Sequence, residues 1–338
     1  MNYINNRFLL QKRPTGMPED NCWIMDSQNI TELQKQEILI RAEYLSIDPY
    51  MRGKMNDSIS YTPPLKIGEV MVGESVGTVI ESKSKNYAVG DLVTVHQGWQ
   101  TYIKTKDSDP SVLKVPESKL NSSVFLGTLG MPGRTAYFGL NYVGKPQPGE
   151  TLVVSAASGA VGSVVGQLGK LIGCKVIGIA GGPEKSKYVT EELKFDQCID
   201  YKNENVVEKL EKYCPNGIDI YFENVGGEIT KMVSKFLNKN ARVPICGFIS
   251  KYNSTNIAGE ETPFHVLGAL NPKPKHRFFV VTEWLNQFEK ATSILHEHVK
   301  NGDIKFRETI TPGFENAPQG LRDVLSGKNF GKQIIKII

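Results

Sequence analysis

The sequence predicts an α/β protein built as a doubly wound parallel sheet and joined to a second, mainly β module. Three observations predict it. Residues 151–166 read as one strand, a tight glycine turn and the opening of a helix. Further short apolar runs follow, alternating with helical patterns, as a parallel sheet requires. The first 125 or so residues differ, with short alternating runs broken by glycine and proline.

Taken in order, residues 37–46 approximate strand alternation. Residues 70–81 read as a strand pair, with Gly73 and Gly77 permitting a bend or bulge. Residues 87–95 turn at Gly90-Asp91 into another strand. The character changes near Leu126, where 130–139 lead into a helix. Strands are then expected near 151–155, 174–180, 197–200, 218–223, 241–246 and 277–281, with helices between them such as 206–213 and 229–237. A long helix near 287–300 precedes Ile304-Lys-Phe-Arg, a helix over 317–325 and a closing strand over 332–338. The tail is more like the first module than the second. The expected division is therefore 1–126, then 127–300, then a return over 301–338. A ligand cleft is expected between the two domains.

Composition bounds the function. A chain of 338 residues supports about two domains without staples. The net charge is only +4 and no basic block exists, so nucleic acid is not expected as a partner. No run of about 18 apolar residues occurs, so no membrane partner is expected. The five cysteines are scattered with no CxxC pair, which signals neither a zinc lobe nor a disulfide framework. The start has no apolar leader core, so the cytoplasm is expected and the sequons at Asn29, Asn121 and Asn253 read as chance matches.

The chemistry starts at the glycine turn. Leu152, Val153 and Val154 suit a strand buried on both faces, and Pro146-Gln-Pro-Gly149 ahead of it is turn chemistry. Ala157-x-Gly159-x-x-Gly162 fills the three positions of a dinucleotide-binding turn, with alanine first. Gly159 lets the backbone approach a pyrophosphate, Gly162 lets the helix lie close to the strand, and the free helix N–H groups hold the negative charge. The alternative is a small-residue helix packed on a strand with no ligand; the flanking pattern favours the nucleotide.

The second strand ends at Ala180-Gly-Gly182, where an NAD-selective site carries an acid for the ribose 2′-hydroxyl. Without that acid, Lys185 can meet a 2′-phosphate, or it is a solvated helix-start lysine. A charge-assisted hydrogen bond contributes roughly 1.5–3 kcal/mol. One lysine with a hydroxyl then supports a preference for NADPH on the order of a hundredfold.

Over nearly its whole length the chain resembles the zinc-independent branch of the medium-chain dehydrogenase/reductases. The likeness is to the alkenal double-bond reductases and the leukotriene B4 12-hydroxydehydrogenase/prostaglandin reductases. It rests on Leu45-Ser-Ile-Asp-Pro-Tyr-Met-Arg52, Leu129-Gly-Met-Pro-Gly133 with Thr135-Ala-Tyr137, and Ser155-Ala-Ala-Ser-Gly-Ala-Val-Gly-Ser163. Asn216–Gly227, Ile245–Asn253 and Gly327-Lys-Asn-Phe-Gly-Lys332 add to it. The resemblance implies a Rossmann domain with a GroES-like domain, NADP(H), a small unsaturated carbonyl substrate and a homodimer.

Zinc-dependent relatives carry a cysteine and a histidine where this chain has Ser46 and Gly73-Glu-Ser75, so no metal is implied. The resemblance puts Gly159, Ala160, Val161 and Gly162 on the pyrophosphate and Lys185 and Tyr201 on the 2′-phosphate. It puts Asn224, Cys246, Gly247, Phe248, Ile249, Ser250, Tyr252, Phe279, Val280, Val281 and Asn329 around the ribose and nicotinamide. Tyr201 also reads as a plain strand-edge aromatic, and Phe279 to Val281 as strand core.

The implied reaction is hydride addition to the β-carbon of an unsaturated aldehyde or ketone, followed by protonation of the enolate at the α-carbon. Tyr50 and Tyr252 are the catalytic candidates, with the cofactor's ribose hydroxyl a third donor. A phenol with an ordinary pKa near ~10 is protonated at neutral pH. Tyr50 also reads as a satisfied hydroxyl at a strand end, and Tyr252 as a residue that orients the cofactor. Many relatives have tyrosine where Asn271 stands. His96, after a strand, reads as structural or cleft-lining, and His296-x-His298 as surface. Two alternatives stay open: a quinone reductase of the same superfamily, and an NADPH-binding protein without turnover.

Overall fold

The structure is a computed structural model that describes residues 3–57, 63–254 and 259–337. It forms two compact units: residues 1–127 with 308–338, and residues 128–307. Among the described residues no helix is long and apolar enough to cross a membrane.

The first unit begins with β1 (Ile4–Leu10), β2 (Trp23–Asn29) and β3 (Glu37–Ser46). A five-residue helix, α1 (Tyr50–Lys54), follows Asp48-Pro49. Then come β4 (Ser75–Ser82), β5 (Leu92–Val95), β6 (Tyr102–Lys106) and β7 (Leu113–Lys114). The expected strand pair over 70–81 is a single strand, β4. Val70 makes only an isolated bridge to Leu9, and Gly73 is crowded against the Trp99 ring, so that segment bends instead of pairing. The register shifts lie in the β3–β4 pairing, where a Cβ on Gly77 would stand 2.2 Å from the Arg41 carbonyl.

The second unit begins with α2 (Met131–Phe138), β8 (Thr151–Ser155), α3 (Gly162–Ile172) and β9 (Lys175–Ala180). It continues with α4 (Pro183–Glu191), β10 (Gln197–Asp200), α5 (Val206–Tyr213) and β11 (Ile218–Phe222). It ends with α6 (Gly227–Ser234), β12 (Leu237–Ile245), α7 (Pro263–Gly268), β13 (Lys275–Phe278) and α8 (Phe288–Lys300). The strands lie in the order β10-β9-β8-β11-β12-β13, all parallel. β8 is central and every residue of it is buried, as its apolar run demands. Local signals set the helix starts: the Asn205 side chain accepts from Val207 N and caps α5, and proline opens α4.

Two expected boundaries move. α6 stops at Ser234 because β12 already begins at Leu237, whose pairing with β11 takes those residues into the sheet. β13 ends at Phe278, so Phe279, Val280 and Val281 are not strand core; Val281 opens a short 3-10 helix held by the Glu283 side chain on Val280 N.

The chain then returns to the first unit as β14 (Glu308–Pro312), α9 (Ala317–Leu325) and β15 (Lys332–Lys336). The expected closing strand extends to Ile338, which lies outside the described residues. β15 pairs antiparallel with β3 and parallel with β14, completing the order β14-β15-β3-β4-β5-β7, with β6 on β3. Ile38, Ile40, Val79, Val93, Val95 and Ile103 form the core of that sheet.

Candidate functional site

In the second unit the strand order reverses between β8 and β11, and the loops at their C-terminal ends gather there. That is where this topology binds ligands. At the end of β8 the chain turns sharply. Ala156 takes the left-handed backbone at φ 51°, and Ala157 N bonds the Ile179 carbonyl at 3.0 Å. A Cβ on Gly162 would stand 2.4 Å from the Ala156 carbonyl, so only glycine allows α3 to start there. The close packing expected of Gly162 against the strand falls mainly to Gly169, where a Cβ would meet Leu152 of β8 at 2.5 Å. Gly159, Ala160 and Val161 form the turn itself, ahead of the first helix N–H groups.

At the ends of β9 and β10 sits a cationic loop. A Cβ on Gly181 would stand 2.8 Å from the Tyr201 ring, which is 47% exposed and lies over the loop. Lys185 is half-buried at the start of α4. Burial, then the charge of Lys202, holds its ammonium below the ordinary lysine range. The expectation of no acid here needs a correction. Asp200, contributed by the neighbouring strand, reaches the same loop. Its carboxylate accepts from Gly182 N at 2.7 Å, Lys202 N at 3.1 Å and Asn203 Nδ2 at 2.7 Å. Burial pushes the Asp200 carboxyl up, but these hydrogen bonds outweigh it and hold the group below the usual range. The acid therefore ties the end of β9 to the end of β10.

At the ends of β11 and β12 the organiser is Glu223, which the sequence reading passed over. It is fully buried and accepts from Ser155 Oγ at 3.1 Å, Val225 N at 2.8 Å, Gly226 N at 3.0 Å and Thr230 Oγ. The signal was available: one acid ends the apolar run Ile-Asp-Ile-Tyr-Phe just before Asn-Val-Gly-Gly. Asn224 is tied to the end of β8, with N on Ser155 Oγ at 2.8 Å and Nδ2 on Ser155 O at 2.7 Å.

The loop after β12 packs on this knot. Cys246 N and Gly247 N bond Glu223 O, Ile249 N bonds Asn224 O, and Ser250 N bonds Val225 O. The Cys246 thiol is pushed up to about 12 by burial and by Glu223, so it stays protonated. Phe248 and Tyr252 meet edge to face at 5.7 Å, and a Cβ on Gly247 would stand 2.7 Å from the Tyr252 hydroxyl. Phe279 N bonds Ile245 O, but its ring turns into the core against Phe222 and Gly139.

Tyr50 and Asn329 belong to the first unit. Asn329 Nδ2 bonds the Gly331 carbonyl at 2.9 Å. Tyr50 opens α1, and its hydroxyl lies 2.8 Å from His96 Nε2. Just before it, the Asp48 carboxylate pairs with Lys332 Nζ at 2.7 Å and accepts from Ser46 Oγ. Lys332 Nζ also bonds the Ile47 carbonyl at 2.7 Å. The Asp48 carboxylate is thus shared between the Ser46 hydroxyl and the Lys332 ammonium. Among the described residues no group of three or more His, Cys, Asp or Glu is placed to hold a metal ion. His298 pairs with Asp303 at 3.0 Å, away from these groups in the chain.

Residues 6–113 match the family described as "N-terminal domain of oxidoreductase", and residues 160–285 match "Zinc-binding dehydrogenase". The chain is 44% identical over 336 residues to the NADPH-dependent curcumin reductase of Escherichia coli (strain K12), covering 98% of this chain and 97% of that one. It is 34% identical over 340 residues to the 2-alkenal reductase (NADP(+)-dependent) of Nicotiana tabacum, covering 98% and 97%. Its fold superposes on the crystal structure of CurA in complex with NADPH from Vibrio vulnificus with a TM-score of 0.92 and 42% identity, covering 98% and 99%.

Proposed function

The chain belongs to the zinc-independent medium-chain dehydrogenase/reductase family, in the branch of the alkenal, curcumin and prostaglandin reductases, and from that premise we propose that it reduces the carbon–carbon double bond of α,β-unsaturated aldehydes and ketones. It is an NADP-dependent oxidoreductase acting on the CH–CH group.

The residues fit NADP(H). The turn of Gly159, Ala160 and Val161 stands directly ahead of the α3 N-terminus at Gly162, which suits a pyrophosphate. Lys185 and Lys202, with the Tyr201 ring over Gly181, suit a 2′-phosphate. Asn224, Cys246, Gly247, Phe248, Ile249, Ser250, Tyr252 and the backbone of Phe279, Val280 and Val281 lie in the loops at the ends of β11 to β13, where a nicotinamide ribose would be held. When bound, NADPH supplies the hydride that the β-carbon accepts.

The protein's own contribution is then to orient and to protonate. Negative charge grows on the substrate carbonyl as hydride arrives, and the enolate needs a proton at the α-carbon. Tyr50 is the proposed donor, through its phenol O–H. Tyr252, whose hydroxyl stands against Gly247 in the β12 loop, is proposed to orient the cofactor.

The observation that supports this reading is the loop around Gly181-Gly182, where Lys202 lies close enough to Lys185 to disfavour its charge and the Asp200 carboxylate is taken up by Gly182 N, Lys202 N and Asn203 Nδ2. The test is loss of reduced-nicotinamide absorbance with a 2-alkenal, an enone and a quinone, each with NADPH and with NADH. The expected result is turnover of the alkenal and enone with NADPH, giving the saturated carbonyl. An allylic alcohol product overturns the reading. Turnover of the quinone alone favours a quinone reductase, and no turnover favours a binding protein.

A further inference from the structure

We propose that His96 reprotonates Tyr50, so that the proton given to the substrate's α-carbon is drawn from solvent through a phenol–imidazole pair. This rests on the reading of Tyr50 as the donor. The two side chains come from different elements, α1 and the residue directly after β5, and their hydrogen-bonding atoms lie 2.8 Å apart. The ring centroids are 6.4 Å apart and the planes 24° apart, so the imidazole meets the phenol end to end, with its Nε2 on the hydroxyl. Both partners are held by buried structure. Asp48, two residues before Tyr50, is clamped by Lys332 and Ser46. Val95, just before His96, is fully buried.

The far side of the imidazole is where the pair becomes a relay. His96 is exposed. It lines, with Val70, Val72, Gln97 and Gly98, an open groove of about 700 Å³ in the first unit. A tyrosinate left after protonating carbon is a strong base, with an ordinary pKa near ~10, and it must regain a proton before the next turnover. An imidazole, with an ordinary pKa of about 6.5, exchanges protons readily at neutral pH and has two nitrogens for in-and-out transfer.

The step balances. With hydride and its electron pair on the β-carbon, the substrate is an enolate. The Tyr50 O–H bond breaks as the α-carbon C–H bond forms. The His96 Nε2–H bond breaks as the phenol O–H bond reforms, and Nδ1 takes a proton from water, whose O–H bond breaks to release hydroxide to solvent. One solvent proton is consumed for each hydride, and the imidazole returns to its starting tautomer by exchange. His96 acts through Tyr50 and is a positioning and relay residue.

The test uses the full-length protein with NADPH and a 2-alkenal. His96→Ala and His96→Gln are expected to lower kcat about tenfold to a hundredfold, with the KM for NADPH within about twofold of the parent. Glutamine can hold a hydroxyl but cannot carry a proton through, so a wild-type kcat in His96→Gln overturns the relay. Added free imidazole is expected to restore His96→Ala and to leave Tyr50→Phe unrescued; failure to restore His96→Ala also overturns it. A wild-type kcat in Tyr50→Phe sinks the donor reading beneath the relay. A collapse of Tyr50→Phe beside fully active His96 variants overturns the relay alone.

Discussion

Lys185 is the single side chain on which the proposed cofactor choice turns. Its ammonium is destabilised by burial and by Lys202, and a 2′-phosphate relieves both. Lys185→Ala is therefore expected to raise the KM for NADPH about tenfold to a hundredfold and to leave that for NADH within about twofold. An equal change for both cofactors refutes the phosphate role. The sign with pH follows from the direction of the shift. A lysine held below its ordinary range loses its charge earlier as pH rises, so the preference for NADPH declines on the alkaline side sooner than an ordinary lysine would allow. Steady-state kinetics with both cofactors across that range checks it. Lys185 was legible in the chain because it follows a strand end by a few residues. Asp200 and Lys202 were not, because they reach the loop from a neighbouring strand.

At the scale of elements, α1 is the instructive case. It has five residues and no side-chain cap, so it cannot hold itself. What holds its start is the Asp48–Lys332 pair, with the two side chains 7% and 4% exposed. Removing one partner of a buried pair leaves the other charge uncompensated, which costs about 3–5 kcal/mol. Lys332→Met is expected to destabilise the protein by that amount in denaturant unfolding, and the double variant Lys332→Met/Asp48→Leu is expected to recover part of it. A single variant as stable as the parent removes the pair from this account. The elements that were misjudged share one cause. The segment 70–73 looked like a strand and α6 looked longer, because alternation and helical periodicity do not say where pairing with another strand stops. Leu237 leaves the helix for the sheet only because β11 is there to pair with it.

At the scale of the whole molecule, the parallel order β10-β9-β8-β11-β12-β13 puts six strand ends on one side of the sheet, and the segments after them carry the cofactor contacts proposed in the second unit. A ligand that binds only the folded chain stabilises it, by about 2.7 kcal/mol at a hundredfold excess over its Kd. NADPH at that excess is therefore expected to raise the Tm by roughly 3–5 °C, and NADH at equal concentration by much less. A Tm that ignores NADPH contradicts the proposed cofactor.

The strand–turn–helix at 151–166, the alternation of strands and helices and the return of the tail to the first sheet were readable from residue order. Each depends on spacing along the chain: glycines three apart, apolar runs of a strand's length, turn residues between them. The encounters that give the site its chemistry depend on distance through space. Tyr50 meets a histidine 46 residues away, and Lys332 reaches an aspartate 284 residues away. No local pattern encodes such a meeting, because it forms only after separate strands have been brought side by side and their side chains packed out of water.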